Sequence, residues 1–392
     1  MKVLVVLKDL YTGGIQKSCV NFVNYLSKNK IVVDLVLFNP EGPLRGQISN
    51  AVNIIEANCA LLPFAVSQGD AKTWGAKFFF KRTIFAIWAK LFGNKRILKN
   101  ALKKQYKLDK SYDVAISFAP STGLKTLTVG GAEFVLEKTE AKQKWIFVHG
   151  DYERSGLNEP YANVIFSKFD KVFCVSKSCA ELMKKANKKL AEKIDYIYNV
   201  CDVEDIKKKA EEKIEEKPND KFELITVARL SEEKGHIRLL EQLKNLHVEG
   251  FDFLYTIVGD GKERTSIEKF IKENNMSSYV DMVGNKSNPY PYIKRADLFV
   301  LPSYHESYGL VLVESMILGV PVLTTKTSAA EEVVLDNGFI CENNADSLYQ
   351  CLKQQLLDKN GIKQKENTLL KYKYKIDDRI IELLRSTNID KK

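Results

Sequence analysis

Several things are scarce or missing in this chain of 392 residues, and each absence closes a route. Histidine occurs four times, so metal sites built on imidazole clusters have little material. No Asp-x-Asp pair is present to bridge a metal to a diphosphate, and no Gly-Lys-Ser/Thr ending completes a P-loop. The seven cysteines are scattered with no Cys-x-x-Cys pair. Their odd count and apolar neighbours, as in KVFCVS (171–176), argue for reduced thiols and a cytoplasmic protein. No segment reaches the roughly 20 uninterrupted apolar residues of a spanning helix. The start, MKVLVVLKDL, has its short apolar run broken by Lys8 and Asp9, which suits a first strand better than a signal peptide. Solenoid repeats and low-complexity tracts are also lacking.

What is present is an ordinary folded composition, 45% hydrophobic and 28% charged, long enough for about two domains. The net charge of +10 suits nucleic acid, anionic lipid or phosphorylated substrates and does not choose among them. Continuous apolar runs alternate with helical patterns. Val3–Leu7, Val32–Phe38, Tyr112–Phe118, Gln143–Val148, Lys171–Val175 and Lys193–Tyr198 read as parallel strands covered on both faces. A charged stretch, KKKAEEKIEEKPND (207–220), reads as surface helix and connector. A second series follows with Phe222–Val227, Phe253–Val258, Val280–Val283, Asp297–Leu301 and Val320–Thr324. Two consecutive βα series predict an α/β chain of two Rossmann-like domains with a cleft between them.

The segment 75–106 differs from its surroundings. Phe80, Ile84, Ile87, Trp88 and Leu91 fall at helical spacing, and the charges are lysines and arginines with no acidic residue among them. A basic amphipathic helix rich in Trp and Phe fits an anionic membrane surface. The plainer reading is a helix packed on the first sheet with solvated lysines. Nucleic acid is set aside, because no recognition motif accompanies the charge.

The residues with chemical promise stand at strand ends. Gly13 and Gly14 follow the first strand as a tight βα turn, or as a turn kept small for a diphosphate or an acceptor. His149 lies just past the strand Gln143–Val148, where open α/β sheets bind ligands. Arg229 and Lys234 share one loop, a planar fork and a point charge suited to a diphosphate. Gly259 belongs to a Gly-Asp-Gly turn. In VLPSYHESYGLVLVESMILGVPV (300–322), Ser307, Tyr308, Gly309 and Leu310 form the predicted first turn of a helix, whose free N–H groups attract phosphate. Glu306 precedes that turn and Glu314 follows eight positions later, two carboxylates better suited to hydroxyls than to phosphate charge.

At these residues the chain resembles the retaining glycosyltransferases of family 4, with their two-domain GT-B fold. The resemblance rests on VARLSEEKG (227–235), IVGDG (257–261), VGNKSNPYPYIKRADLFVLPS (283–303) and ESYGLVLVE (306–314), and more loosely on TGGIQK (12–17), HGD (149–151) and NVCD (199–202). It departs from the family at Lys17, where an arginine is usual, in lacking the hinge Pro-Asn-Gly, and over 40–110, where acceptor specificity is expected. The resemblance implies that Arg229 and Lys234 neutralise the donor diphosphate, aided by amides at Tyr308, Gly309 and Leu310, with Ser307 in the same turn. Glu306 would hold donor-sugar hydroxyls, Glu314 the ribose, and Val283, Gly284 and Asn285 the base. His149 would reach the donor sugar and Gly14 the phosphates, so that domain closure assembles the site.

The implied domains are 1–198 for the acceptor, 199–374 for the nucleotide sugar, and a C-terminal helix, 375–392, returning to the N-terminal domain. The implied activity is metal-independent, retaining transfer from a UDP-sugar to a glycan or a polyprenyl- or other lipid-linked acceptor, in bacterial surface polysaccharide or glycolipid synthesis. The enzyme would be cytoplasmic, on the inner face of the cell membrane, with no cofactor. The competing readings are a nucleotide-sugar epimerase of the same fold and a sugar-binding relative without turnover.

Overall fold

A computed structural model describes residues 1–11, 13–121, 123, 125–127, 130–150, 152, 156–214 and 221–387. Thr12 of the first glycine turn, Asp151 of HGD and the end of the charged connector, 215–220, lie outside the described residues. The chain forms two compact units, Met1–Val200 with Asp377–Lys392, and Cys201–Ile376.

The first unit is built on seven parallel strands: β1 (Lys2–Leu7), β2 (Val32–Leu37), β3 (Asn53–Glu56), β4 (Ser111–Ser117), β5 (Glu140–Val148), β6 (Lys171–Cys174) and β7 (Ile194–Tyr196). They lie in the order β3-β2-β1-β4-β5-β6-β7. Both faces of the sheet are covered, which is why its inner strands read as unbroken apolar runs. Leu4 and Val6 of β1, Val36 of β2 and Ile146 and Val148 of β5 point into one core with Phe134 and Phe166. Val3, Val5 and Leu7, facing the other way, are equally buried. The short strand β3 sits at the edge, with its residues only partly covered. That exposure explains why no continuous apolar run announces it.

The C-terminal helix Arg379–Ser386 belongs to this unit. Arg379 donates to the Tyr196 carbonyl at 2.9 Å and lies over the Tyr196 ring, while Tyr25 donates to the Asp378 carboxylate. Asn199 and Val200 are tied to the helix Gly14–Lys28, as Ser18 donates to Asn199 at 2.5 Å and Asn21 to the Val200 carbonyl at 2.9 Å.

The segment 75–106 is two helices, Ala76–Phe92 and Lys95–Lys104. Gly93, at φ 80°, ends the first, and Asn94 opens the second. Asn94 is buried and donates to the carbonyls of Gly123 and Thr126 at 2.9 and 2.6 Å, which fixes the break.

The second unit holds six parallel strands: β8 (Phe222–Val227), β9 (Phe253–Val258), β10 (Val280–Gly284), β11 (Leu298–Leu301), β12 (Val322–Thr325) and β13 (Gly338–Cys341). Their order is β10-β9-β8-β11-β12-β13. In each sheet the chain runs outward from the first strand, then crosses to its other side. Crevices therefore open at the carboxyl ends of β1/β4 and of β8/β11, the positions where open α/β sheets bind ligands. In the second core, Leu224, Tyr255, Ile257, Leu298 and Val300 pack with Leu239, Leu243 and Leu246 from the helix His236–Val248.

Candidate active site

The crevice at β8/β11 is made of loops laced together by main-chain contacts. After β8, Leu230 donates its N–H to the Asp260 carbonyl at 3.0 Å, and Glu263 returns one to the Leu230 carbonyl at 3.1 Å. Gly259, at φ 151°, presses so close that a Cβ there would stand 1.9 Å from the Ala228 carbonyl oxygen. A Cβ at Gly261 would stand 2.2 Å from that of Leu230. The Gly-Asp-Gly turn is thus the place where two loops meet backbone to backbone. Gly259 also donates to the Gly284 carbonyl at 2.9 Å, which brings Val283, Gly284 and Asn285 to the same edge.

Lys234 closes a short 3-10 turn, Glu232–Lys234, and its ammonium donates to Glu306 Oε2 at 2.5 Å. The side chains remain 21% and 17% exposed, so the pair is shielded without being sealed. Gly235 makes the approach possible. It sits in the left-handed region at φ 69°, and a Cβ would meet the Pro302 carbonyl oxygen at 2.2 Å. Tyr304 N–H donates to the Glu233 carbonyl at 2.8 Å, completing the seam between the loops after β8 and β11. Ser328 donates to the Glu306 carbonyl at 3.2 Å. Arg229 is exposed in the same loop. Burial alone would raise the Glu233 carboxyl, but the Ser231 hydroxyl, backbone bonding and the charges of Lys234 and Arg229 hold it below its ordinary value.

Two residues behind this seam escaped the sequence reading. His236 is fully buried, with Nε2 3.2 Å from the Arg229 carbonyl. Burial pushes its pKa down to about 4, so the ring is neutral at pH 7, and the carbonyl selects the tautomer protonated at Nε2. Arg238 is also buried; it donates to the Pro302 carbonyl and, at 2.8 Å, to Asn343, with its guanidinium 3.9 Å over the Tyr304 ring. Together they hold the backbone that carries Arg229 and Lys234 against the strand end that carries Glu306. The available signal was the position of both in the first turn of the helix that follows Gly235.

The glycine-opened helix starts later than the sequence suggested. It spans Leu310–Ile317, with Gly309 as its left-handed N-cap at φ 78°. Ser307 and Tyr308 precede the helix and do not form its first turn. A Cβ on Gly309 would press on Leu312 at 2.9 Å and Glu306 at 3.3 Å, so the turn is compact because this residue is glycine. Glu314 is buried inside the helix and accepts from the Tyr290 hydroxyl at 2.8 Å. Desolvation, then the Glu314 charge, raises the Tyr290 pKa well above its usual value. Glu314 is therefore held by its own unit, a constraint on any ribose contact.

The other sequence-predicted residues belong to the first unit. His149 follows β5, its ring centroid 4.8 Å from that of Phe118 and 6.2 Å from that of Phe147. Burial lowers its pKa to about 4, against a smaller upward pull from the Phe118 backbone, and its Nε2 is buried without a partner. Gly13 is extended at φ 179°, and Gly14 begins the helix Gly14–Lys28. No atom stands within 4 Å of a Cβ placed on Gly14, so nothing in the fold demands glycine there. Lys17 donates to Gln47 Oε1 at 2.8 Å.

Comparison with known proteins adds a family. Residues 207–375 match the family described as glycosyl transferases group 1. The chain is 31% identical over 206 residues, 52% of its length and 55% of the relative's, to the N-acetylgalactosamine-N,N'-diacetylbacillosaminyl-diphospho-undecaprenol 4-alpha-N-acetylgalactosaminyltransferase of Campylobacter jejuni. It is 28% identical over 174 residues, 41% of its length and 45% of the relative's, to the capsular polysaccharide biosynthesis glycosyltransferase CapM of Staphylococcus aureus. The chain spans about half the length of these curated relatives. The crystal structure of Anabaena HepE in complex with UDP superposes with a TM-score of 0.64 at 18% identity, over 98% of this chain and 100% of that one. The chain thus resembles the group 1 glycosyltransferases in sequence and has the two-unit GT-B fold.

Proposed function

We propose that this chain, whose residues 207–375 carry the glycosyl transferases group 1 match, moves a sugar from a nucleotide diphosphate to a glycan or lipid-linked acceptor with retention of the anomeric configuration. The observation that carries the proposal is the Lys234–Glu306 pair beside Arg229 at the β8/β11 crevice. Arg229 and Lys234 supply positive charge where the leaving diphosphate gains negative charge, the kind of stabilisation that counts most in a transition state. Their cationic charge supports metal-independent chemistry. Glu306 keeps Lys234 oriented and has a second oxygen for a sugar hydroxyl. The bond between the anomeric carbon and the diphosphate breaks, the acceptor oxygen bonds on the same face, and its proton passes to the departing phosphate oxygen. UDP is the proposed nucleotide, supported by its presence in the HepE complex. Bacterial surface polysaccharide or glycolipid synthesis is the proposed setting, supported by the names of the curated relatives.

The exposed face of Ala76–Phe92 supports work at the inner face of a membrane. Phe85 and Ala86 pack toward the core and Ala89 is buried, so the helix is anchored by one side. On the other side Phe80, Ile84 and Leu91 are 61–66% exposed, with Ile87 and Trp88 in the same stripe. The lysines at 77, 81 and 90 flank them. Among the described residues no helix is long and apolar enough to cross a membrane, so the proposal is docking on an anionic surface.

The test is release of UDP from UDP-sugars with and without undecaprenyl-diphosphate-linked sugars, in EDTA, with the product anomer read by NMR. Acceptor-dependent release giving the donor's anomer supports the proposal. Interconversion of UDP-sugars without acceptor would mark an epimerase, and binding without release a non-catalytic relative.

A further inference from the structure

Asn343 lies on the loop that follows β13, and its half-buried side chain joins three other segments of the second unit. Its Oδ1 accepts from Arg238, in the helix His236–Val248, at 2.8 Å. Its Nδ2 donates to the Tyr304 carbonyl after β11 at 2.9 Å and to the Lys326 carbonyl after β12 at 3.3 Å. An amide turned the other way would set its NH2 against a guanidinium and its oxygen against two carbonyls. The three contacts therefore admit one orientation.

Both carbonyls belong to segments that lead to Glu306. Tyr304 stands two residues before it in the chain. The Tyr304 N–H donates to the Glu233 carbonyl at 2.8 Å, and its ring faces the Arg238 guanidinium at 3.9 Å. The Asn343 bond to its carbonyl fixes it from a third side. Lys326 stands two residues before Ser328, whose hydroxyl donates to the Glu306 carbonyl at 3.2 Å. The Lys326 N–H donates to the Cys341 carbonyl at 2.7 Å, which ties the start of this loop to the end of β13. Glu306 is thus held along its own loop through Tyr304 and from the β12 loop through Ser328. Asn343 bonds to both loops, and none of its three bonds is to Lys234 or Glu306 themselves.

We propose that Asn343 is a positioning residue for the transfer reaction, its amide fixing the loops after β11 and β12 so that the Glu306 carboxylate stays on Lys234. The side chains of that pair are partly solvated and carried on separate loops, so their geometry depends on what holds the backbone. A small displacement of a reacting group costs rate far more than it costs binding. The edge formed by Gly259 and Gly284 is joined by its own main-chain bond, apart from Asn343. Loss of the amide should therefore lower turnover and spare nucleotide affinity.

The inference rests on the proposed sugar transfer, and its test separates the two. Asn343→Ala removes all three bonds. Asn343→Asp keeps an acceptor for Arg238 and has no donor for either carbonyl. UDP release is measured from UDP-glucose, UDP-galactose and their N-acetylated amino counterparts, with undecaprenyl-diphosphate-linked sugar as acceptor. UDP affinity is read by calorimetry, and the Lys234–Glu306 separation from crystals of wild type and Asn343→Ala. In both variants kcat is expected to fall about tenfold or more, as for two lost hydrogen bonds that hold reacting geometry. UDP affinity should stay within about twofold, and the pair should open beyond hydrogen-bond distance in Asn343→Ala. Wild-type kcat per UDP-binding molecule, or an intact pair in Asn343→Ala, overturns the proposal. So does recovery of the rate in Asn343→Asp, which would assign the effect to the Arg238 contact alone. UDP affinity lost together with the rate overturns it as well, in favour of a general structural role. If wild type releases no UDP with acceptor, the transfer reading falls, and the state of the pair in Asn343→Ala alone decides whether Asn343 positions Glu306.

Discussion

Lys234 and Glu306, 72 positions apart in sequence, share a 2.5 Å hydrogen bond between their side chains. Read from the sequence, one held phosphate and the other held a sugar. The fold gives them one another first, so the function of each depends on its partner. Removing the carboxylate frees the lysine to wander, and removing the lysine leaves a half-shielded carboxylate without its counter-charge.

Lys234→Ala and Glu306→Gln are each expected to lower turnover by about 100-fold or more, in the range seen when a preorganised stabilising group is lost. The stability cost should be no more than about 1–2 kcal/mol, because both side chains stay partly solvated. Saturating-donor rates and denaturant melts separate the two effects. A variant with near-wild-type rates would remove the pair from the reaction.

Two glycines are expected to behave oppositely. Gly259→Ala forces a Cβ against the Ala228 carbonyl oxygen at 1.9 Å and should destabilise by at least about 2 kcal/mol. Gly14→Ala meets nothing within 4 Å and should leave the melting temperature unchanged. If Gly14 faces the donor phosphates, the same substitution will raise the donor KM. Unchanged kinetics in Gly14→Ala would reduce that residue to an ordinary helix start.

His236 makes stability depend on pH. Its folded pKa is about 4, below the unfolded value near 6.5, so between these limits the unfolded chain binds the extra proton. The contribution is complete above pH 6.5 and is lost as pH falls toward 4, amounting to about 3 kcal/mol. His236→Gln can still donate to the Arg229 carbonyl but does not titrate. Its unfolding free energy should fall less than that of wild type over this window, and equal slopes would contradict the assignment.

Membrane docking should depend on the stripe more than on the packed face of the same helix. Ile84→Ser, Trp88→Ser and Leu91→Ser combined should weaken binding to vesicles containing anionic lipid by about 100-fold or more, from the lost apolar burial. Phe85→Ser, on the packed side, should instead lower the melting temperature. Sedimentation with vesicles and self-association in their absence form the two arms. Pelleting unchanged in the triple variant would leave the stripe without a lipid role, and loss of a dimer would reassign it to a second copy.

The sequence by itself determined the two parallel sheets, because strands covered on both faces must be apolar at every position, as Val3–Leu7 and Leu298–Leu301 are. It also brought Arg229, Lys234, Gly259 and Glu306 to strand ends, since each follows such a run. It did not reveal the edge strand β3, whose half-covered residues leave no strong pattern. Tertiary structure decided which side of Ala76–Phe92 faces the core. The helical spacing of Phe80, Ile84, Ile87, Trp88 and Leu91 marks one face but does not say whether that face meets the core, and only the packing of Phe85, Ala86 and Ala89 decides it. It also decided the start of Leu310–Ile317, where the left-handed Gly309 is wedged between Leu312 and Glu306. The pairing of Lys234 with Glu306 and the clamps of His236 and Arg238 belong to the same class. Each depends on how loops from separate strands meet in space, and local sequence carries no record of that distance.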